Sequence, residues 1–196
     1  MALASGGHVA TPTATLRGSG RVRVLAAGTS LRIALVPVVM ALVLGTDDKT
    51  LACALFAVAA LTDYLDGYLA RRWQVTTTLG SFLDTTADKL LVSGVLVALV
   101  HEGRASAWIT VLIIGRELII MGLRGAVAAG GQVMQPSLLG KTKTAIQFLA
   151  IGLAILRLGS PVGGLYADEW AMLAAGAITV ASAVDYIRRF ASSLSD

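Results

Sequence analysis

Two pairs of aspartates form the clearest chemical pattern in this sequence. Asp63 and Asp66 are separated by three positions and Asp84 and Asp88 by four, and all lie inside or beside strongly apolar segments. Steps of three and four residues place side chains on one face of a helix. Small residues accompany both pairs. The pattern therefore predicts two acidic faces on consecutive helices and suggests a site for metal ions and phosphate.

Carboxylates inside a membrane need compensation. An ionised side chain at the bilayer centre costs at least about 2.5–3.5 kcal/mol. Carboxylate oxygens are hard ligands that suit Mg²⁺ or Mn²⁺, particularly when phosphate oxygens complete the coordination shell. Two such ions about 3.5–4 Å apart can neutralise a diphosphate. Small side chains at Gly67, Ala70 and Gly80 would let a nucleotide approach the helix backbones, although packing between helices is the alternative role for such residues. Arg71 can place a guanidinium on a phosphate.

The composition indicates a membrane protein. Of the 196 residues, 56% are hydrophobic and only 14% are charged, and the mean hydropathy is +0.76. The net charge of +4 does not indicate nucleic-acid binding, because the basic residues lie at the ends of apolar runs and not in one exposed stripe. The single cysteine, Cys53, excludes a disulfide framework within one chain.

Six apolar segments predict the architecture. They run at about 25–44, 51–71, 79–100, 105–129, 138–156 and 170–187, each near the length that spans a bilayer. The connections between them are short, so no separate soluble domain is expected. We predict an all-α integral membrane bundle of six transmembrane helices over residues 23–196. Residues 1–22 are predicted to be a disordered, basic cytoplasmic leader.

The distribution of Lys and Arg predicts the orientation of the bundle. Ten basic residues lie near the span ends on one side and three on the other. Cytoplasmic loops carry the excess of positive charge. Both termini are therefore predicted to be cytoplasmic, and so are both pairs of aspartates. We expect a location in the cell membrane.

The full pattern over residues 63–88 is D-x2-D-G-x2-A-R-x8-G-x3-D-x3-D. It resembles the signature of the CDP-alcohol phosphotransferase family at every defined position. The resemblance implies a homodimeric six-helix membrane enzyme that displaces CMP from a CDP-linked donor with an alcohol. It implies two Mg²⁺ or Mn²⁺ ions held by Asp63, Asp66, Asp84 and Asp88, with Asp88 as general base. Asp63, Asp66, Gly67, Ala70, Arg71 and Gly80 would line the CDP site.

Flanking segments narrow the resemblance to one branch of the family. Residues 62–91, IIGRELIIMGLR at 113–124 and LGKTKTAIQ at 139–147 resemble the phosphatidylglycerophosphate synthases. The first span of the family usually carries N-x-L-T-x2-R, which Thr29 and Arg32 fit while Ala26 and Gly28 depart from it. Thr29 is therefore added to the predicted CDP site. The implied reaction transfers a phosphatidyl group from CDP-diacylglycerol to glycerol 3-phosphate.

The acceptor site can also be argued from charge. Glycerol 3-phosphate is a dianion, so fixed cations are expected near the carboxylates, and the candidates are Arg116, Lys141 and Lys143. Glu117 follows Arg116 directly and should not share its helix face, so we expect a partner for Arg116 elsewhere. Topological anchoring is the alternative role for the two lysines, a structural ion pair is the alternative for Arg116, and Arg124 is interpreted as topological.

Two groups of alternatives stay open on the sequence alone. Phosphatidylinositol phosphate synthase and the cardiolipin synthase of this family share the donor and differ in the acceptor. An ion- or proton-coupled transporter is a different class, because acids within the membrane also mark ion pathways. Transporters often contain broken helices and inverted repeats, and neither is evident here.

Overall fold

Six α-helices make up the protein in the computed structural model, which describes residues 15–73, 78–130 and 138–194. They are α1 (Thr15–Gly45), α2 (Thr50–Trp73), α3 (Thr78–His101), α4 (Ala107–Ala129), α5 (Leu138–Leu156) and α6 (Ala167–Leu194). The predicted all-α class and the number of helices are confirmed. The predicted fifth span has the same bounds as α5, whereas the other helices extend beyond or begin slightly inside the apolar segments.

The helices alternate in direction. The turns after α1, α3 and α5 meet at one end of the bundle, where Lys49 lies 3.5 Å from Glu102 and Arg104 Nη1 donates to the Ile155 carbonyl at 2.7 Å. Both pairs of aspartates lie toward the other end, called here the motif end, in the second half of α2 and the first half of α3. Helix α1 packs closely against α2 and α3, and α5 packs against α6.

The beginning of α1 corrects the predicted leader. Residues 15–22 are helical, so a fully disordered segment over 1–22 is wrong for its last eight residues, while residues 1–14 lie outside the described part of the chain. Adding residues to an existing helix forms one hydrogen bond for each residue fixed, whereas only nucleation is costly. A spanning helix can therefore continue past its apolar stretch.

Apolar side chains fill the interior of one half of the bundle and also cover its outside. Val39, Leu91, Leu96, Ile113 and Ile155 are fully buried there. The outward faces expose many large apolar side chains, among them Leu31, Ile33, Val38, Leu61, Val97, Val111, Leu149 and Val180. An apolar exterior over a packed apolar core is typical of a bundle whose solvent is lipid.

Four helices are long and apolar enough to cross a membrane: the stretches Val24–Gly45, Thr50–Ala70, Leu139–Leu156 and Ala167–Phe190. The other two, α3 and α4, exceed two charged residues in every 18-residue stretch. In α3 these charges are Asp84, Asp88 and Lys89, and in α4 they are Arg116, Glu117 and Arg124. The same charged residues line the polar interior of the motif end.

Candidate active site

Arg32 contacts three of the four aspartates. Its side chain is fully buried in α1, and Nη1 lies 3.1 Å from Asp63 Oδ1 and 2.9 Å from Asp84 Oδ1. Its Nη2 lies 3.4 Å from Asp66 Oδ2. A guanidinium presents its donors in a rigid fork that matches carboxylates. One arginine from α1 thus connects the acidic face of α2 to that of α3.

Two neighbours of Arg32 on α1 complete this cluster. The Thr29 hydroxyl is buried and lies 3.3 Å from Asp84 Oδ1 and 3.2 Å from the Leu25 carbonyl. Gly28 faces Asp66 so closely that a Cβ there would lie 2.0 Å from Oδ2. The departure from the family pattern at Gly28 therefore has a physical reason, because the Asp66 carboxylate occupies the space of a side chain.

The carboxylate cluster suits a hard cation in its chemistry. Asp63, Asp66 and Asp84 offer only oxygen donors, and after Arg32 is counted two negative charges stay unneutralised within this group. That is the charge of one divalent ion, and carboxylates are ligands for Mg²⁺ and Mn²⁺. Within the described residues, no group of three His, Cys, Asp or Glu side chains already has the arrangement of a metal site. The donors fit, and Arg32 is the cation they now share.

The fourth aspartate belongs to a second charged network. Asp88 Oδ2 lies 3.0 Å from Nζ of its neighbour Lys89, which also forms an ion pair with Glu117 of α4. Glu117 is nearly buried, with 6% of its side chain exposed, and also pairs with Lys143 of α5. A buried carboxylate surrounded by ammonium groups stays compensated despite its lost hydration. Side chains from three helices thus meet on Glu117.

Arg116 differs from the sequence prediction. Its Nη1 lies 3.1 Å from Glu117 Oε1, so the adjacent residue is its partner, and the expectation of a partner elsewhere is wrong. Helical periodicity describes the direction of Cβ atoms. Long side chains can still converge at their tips, and Lys89 and Lys143 hold the Glu117 carboxylate where Arg116 also contacts it.

A cavity of about 930 Å³ opens beside both networks. Its lining includes two carboxylates, four basic side chains and one phenol: Asp63, Glu117, Lys89, Arg116, Arg124, Lys141 and Tyr186. Apolar residues cover much of the remaining wall, including Phe82, Ile120, Met121 and Phe148. The cavity therefore combines an apolar wall, an acidic edge and several cations, which is the environment that a phosphorylated, partly apolar ligand would require.

The two predicted acceptor lysines have different surroundings. Lys141 lines the cavity, whereas Lys143 does not, because its side chain is 2% exposed and is paired with Glu117. Among the predicted CDP contacts, Gly67 and Ala70 are half-buried on α2 and Gly80 lies in the first turn of α3. The Arg71 side chain lies outside the described part of the chain.

Sequence reasoning missed several residues of this region. Arg124 was interpreted as topological, but it lines the cavity, and its Nε donates to the Tyr186 hydroxyl at 2.7 Å. Lys89 and Glu117 were also not assigned to the site. A signal was present for Glu117 and Arg32, because an ionised side chain within an apolar helix is costly and marks a buried partner.

The sequence matches the profile of one protein family and is similar to several named proteins. The profile of the CDP-alcohol phosphatidyltransferase family matches residues 26–186. A CDP-diacylglycerol–glycerol-3-phosphate 3-phosphatidyltransferase of Haemophilus influenzae is 36% identical over 178 residues, covering 86% of this chain and 93% of the relative. A protein of the same name from Bacillus subtilis is 39% identical over 142 residues, covering 65% and 74%. A probable phosphatidylglycerophosphate synthase of Mycobacterium tuberculosis is 42% identical over 166 residues, covering 82% and 78%. These relatives are named as transferases or synthases, so the transporter alternative gains no support.

Proposed function

Because the chain belongs to the CDP-alcohol phosphatidyltransferase family, a family of phosphotransferase enzymes, we propose that it transfers a phosphatidyl group from CDP-diacylglycerol to glycerol 3-phosphate. The products are phosphatidylglycerol phosphate and CMP, and the reaction belongs to phospholipid biosynthesis. The observation that carries this proposal is the cavity, which has the acidic edge of Asp63 and the cations Arg116, Lys141 and Arg124 on its walls.

The donor fits the acidic edge and the apolar exterior. The acyl chains of CDP-diacylglycerol stay in lipid along the exposed apolar faces, while its diphosphate reaches the carboxylates of α2 and α3. Gly67, Ala70 and Gly80 add little bulk on these helices, and Thr29 and Arg71 are further proposed contacts of the CDP group. The diphosphate is anionic, so it needs a cation between itself and the carboxylates.

The need for a cation between the diphosphate and the carboxylates is the reason for proposing a metal requirement. We propose that Asp63, Asp66, Asp84 and Asp88 hold Mg²⁺ or Mn²⁺, in two sites. When bound, such ions would neutralise the diphosphate and stabilise the charge that develops during phosphoryl transfer. The oxygen-only donor set and the two negative charges that Arg32 leaves uncompensated support one divalent ion, and the family resemblance is the reason for proposing a second.

Asp88 is the proposed general base of the reaction. Asp88 accepts the proton of the primary hydroxyl of glycerol 3-phosphate, and the hydroxyl oxygen attacks the phosphorus that carries the diacylglycerol. The bond between this phosphorus and the CMP oxygen breaks, and CMP leaves with the electron pair. Arg116 and Lys141 hold the acceptor phosphate by charge-assisted hydrogen bonds. Lys143 is a proposed part of this site through its contact with Glu117.

An acceptor panel tests the proposed reaction. Purified protein in CDP-diacylglycerol micelles is supplied with glycerol 3-phosphate, inositol phosphate, phosphatidylglycerol or serine, with Mg²⁺ or with excess EDTA, and CMP is measured. We expect release with Mg²⁺ and glycerol 3-phosphate alone. Release with inositol phosphate or phosphatidylglycerol would replace the proposed acceptor, and equal release in EDTA would refute the metal requirement.

The predicted orientation and assembly complete the proposal. We propose that the motif end faces the cytoplasm, where a water-soluble acceptor meets a donor anchored in the cell membrane. Cysteine labelling at the ends of a Cys53→Ala variant tests this orientation from each side of the membrane. The homodimer predicted from the family resemblance is tested by the mass of the purified protein in detergent.

A further inference from the structure

We propose that Glu117 is a positioning residue that connects the proposed base, Asp88, to the cations of the acceptor site. This inference rests on the proposed function. It assigns a role to a residue that holds side chains in place and is not itself expected to touch a reacting atom. The network around its carboxylate is the evidence.

The first connection runs through Lys89. Its ammonium group lies 3.0 Å from Asp88 Oδ2 and also contacts Glu117 Oε2. The Lys89 ammonium has three N–H donors and can contact both carboxylates at once. Its contact with Glu117 on α4 therefore limits how closely it can approach Asp88. Glu117 therefore holds Lys89 between two carboxylates. The Asp88 carboxylate then stays able to accept a hydrogen bond from the acceptor hydroxyl.

The second connection concerns the acceptor cations. Arg116 Nη1 and Lys143 Nζ both contact Glu117 Oε1, from α4 and α5. Arg116 also lines the cavity, whereas Lys143 is withdrawn from it. Because a guanidinium has five N–H donors, one contact to Glu117 fixes Arg116 at the wall and leaves other donors for a phosphate. Glu117 thus sets which cations face the acceptor.

A purely structural role is the competing explanation. Without Glu117, three cations from three helices would lie close together in an apolar bundle, which costs stability whatever the chemistry. Loss of activity alone therefore cannot separate the two roles. The experiment needs a variant in which the charge balance is restored while Lys89 still lacks its second partner.

The principal variant is Glu117→Gln, which keeps the shape of the side chain and removes its charge. We expect kcat to fall about tenfold to hundredfold, the range seen when the hydrogen-bonded partners of ligating groups are removed. The KM for glycerol 3-phosphate should not rise. Inorganic phosphate, used as a probe of the acceptor site, should inhibit about fivefold more strongly, because one unit of negative charge near it is gone.

The double variant Glu117→Gln/Lys143→Met separates the roles, because it removes one charge of each sign. We expect thermal stability to return toward that of the wild type while kcat stays low, since Lys89 still lacks its second carboxylate. Recovery of both stability and kcat would show that Glu117 is only structural and would overturn the proposal. Glu117→Asp, which keeps the charge, should retain more kcat than Glu117→Gln.

Glu102→Gln is the matched control. Glu102 is paired with Lys49 at the opposite end of the bundle, 3.5 Å away, so this variant removes the same charge far from the cavity. We expect unchanged kcat and unchanged phosphate inhibition. An unchanged kcat in Glu117→Gln, or a rise in KM at constant kcat, refutes the proposal. CMP release by the wild type is measured first, so failure of the proposed function is seen separately.

Discussion

Replacing Arg32 by methionine should make the stability of the protein strongly dependent on divalent cations. The variant keeps an apolar side chain of similar length in α1 and removes the only α1 cation that contacts the three aspartates in the described structure. Removing one partner of a buried ion pair leaves the other charge without compensation, which costs about 3–5 kcal/mol. Mg²⁺ would bind the same carboxylates and compensate for the loss.

The exposure of the aspartates sets the expected size of the effect. The Asp63 and Asp84 side chains are 35% and 36% exposed and keep part of their hydration, whereas Asp66 is 13% exposed. The cost should therefore lie near the lower limit, at about 3 kcal/mol. For a chain of this size, that corresponds to a decrease of about 6–12 °C in the melting temperature.

Thermal unfolding in detergent measures this effect. Wild type and Arg32→Met are compared in EDTA and in a series of Mg²⁺ concentrations. We expect the variant to melt well below the wild type in EDTA and to gain more from Mg²⁺, because no guanidinium competes for the carboxylates. Manganese binding, followed by electron paramagnetic resonance, should be tighter in the variant.

A control variant separates this effect from the general cost of losing an arginine. Arg104→Met removes a partly buried arginine that donates to a carbonyl at the opposite end of the bundle. It should lower the melting temperature equally in EDTA and in Mg²⁺. If Arg32→Met unfolds like the wild type in EDTA, or if Mg²⁺ stabilises both proteins equally, the assignment of Arg32 as counterion is refuted.

Three further substitutions test individual contacts of the site. Asp88→Asn should abolish CMP release without lowering the melting temperature, and activity like that of the wild type would exclude Asp88 as the base. Gly28→Ala should raise the KM for CDP-diacylglycerol, because the new Cβ would displace the Asp66 carboxylate that lies 2.0 Å from it, and an unchanged KM would contradict this geometry. Lys141→Met should raise the KM for glycerol 3-phosphate about tenfold to hundredfold, the loss of one charged hydrogen bond, with a smaller change in kcat.

Matched controls exist for two of these variants. Gly115→Ala adds the same Cβ within helix α4, where nothing but the adjacent residues and the local helix backbone lies within 4 Å of it, and it should leave the KM for the donor unchanged. Arg189→Met removes a cation from the last part of α6, where the side chain is 58% exposed and pairs with Asp185. It should not change the KM for glycerol 3-phosphate. Similar effects from the controls would indicate nonspecific destabilisation.

Much of the architecture follows from the order of residues. Lipid cannot satisfy backbone hydrogen bonds, so long apolar segments must be helices, and the bounds of α5 follow directly from this rule. The beginning of α1 did not follow from the apolar pattern, because a helix can extend beyond its apolar stretch once it has formed. Spacing alone also placed each aspartate pair on one face of one helix.

The partners of the charged residues depended on tertiary structure. The high cost of a charge in an apolar segment indicated that Arg116 needed a partner. Helical periodicity excluded Glu117, which is the partner in the structure. Periodicity follows Cβ directions, whereas long side chains meet at their tips. Lys141 and Lys143 looked equivalent in sequence, yet one lines the cavity and the other lies on Glu117, because a two-residue step turns to opposite sides of a helix.

The two pairs of aspartates also show what the sequence determines and what the tertiary structure determines. Their types and spacing determined that this protein has two acidic helix faces, and with the family resemblance they determined the class of reaction. Only the packing of α1 against α2 and α3 brought Arg32 between Asp63, Asp66 and Asp84. Only the meeting of α3, α4 and α5 brought Lys89 and Lys143 to Glu117. Local spacing specifies which side chains share a helix face, whereas contacts between helices depend on how complete surfaces pack together.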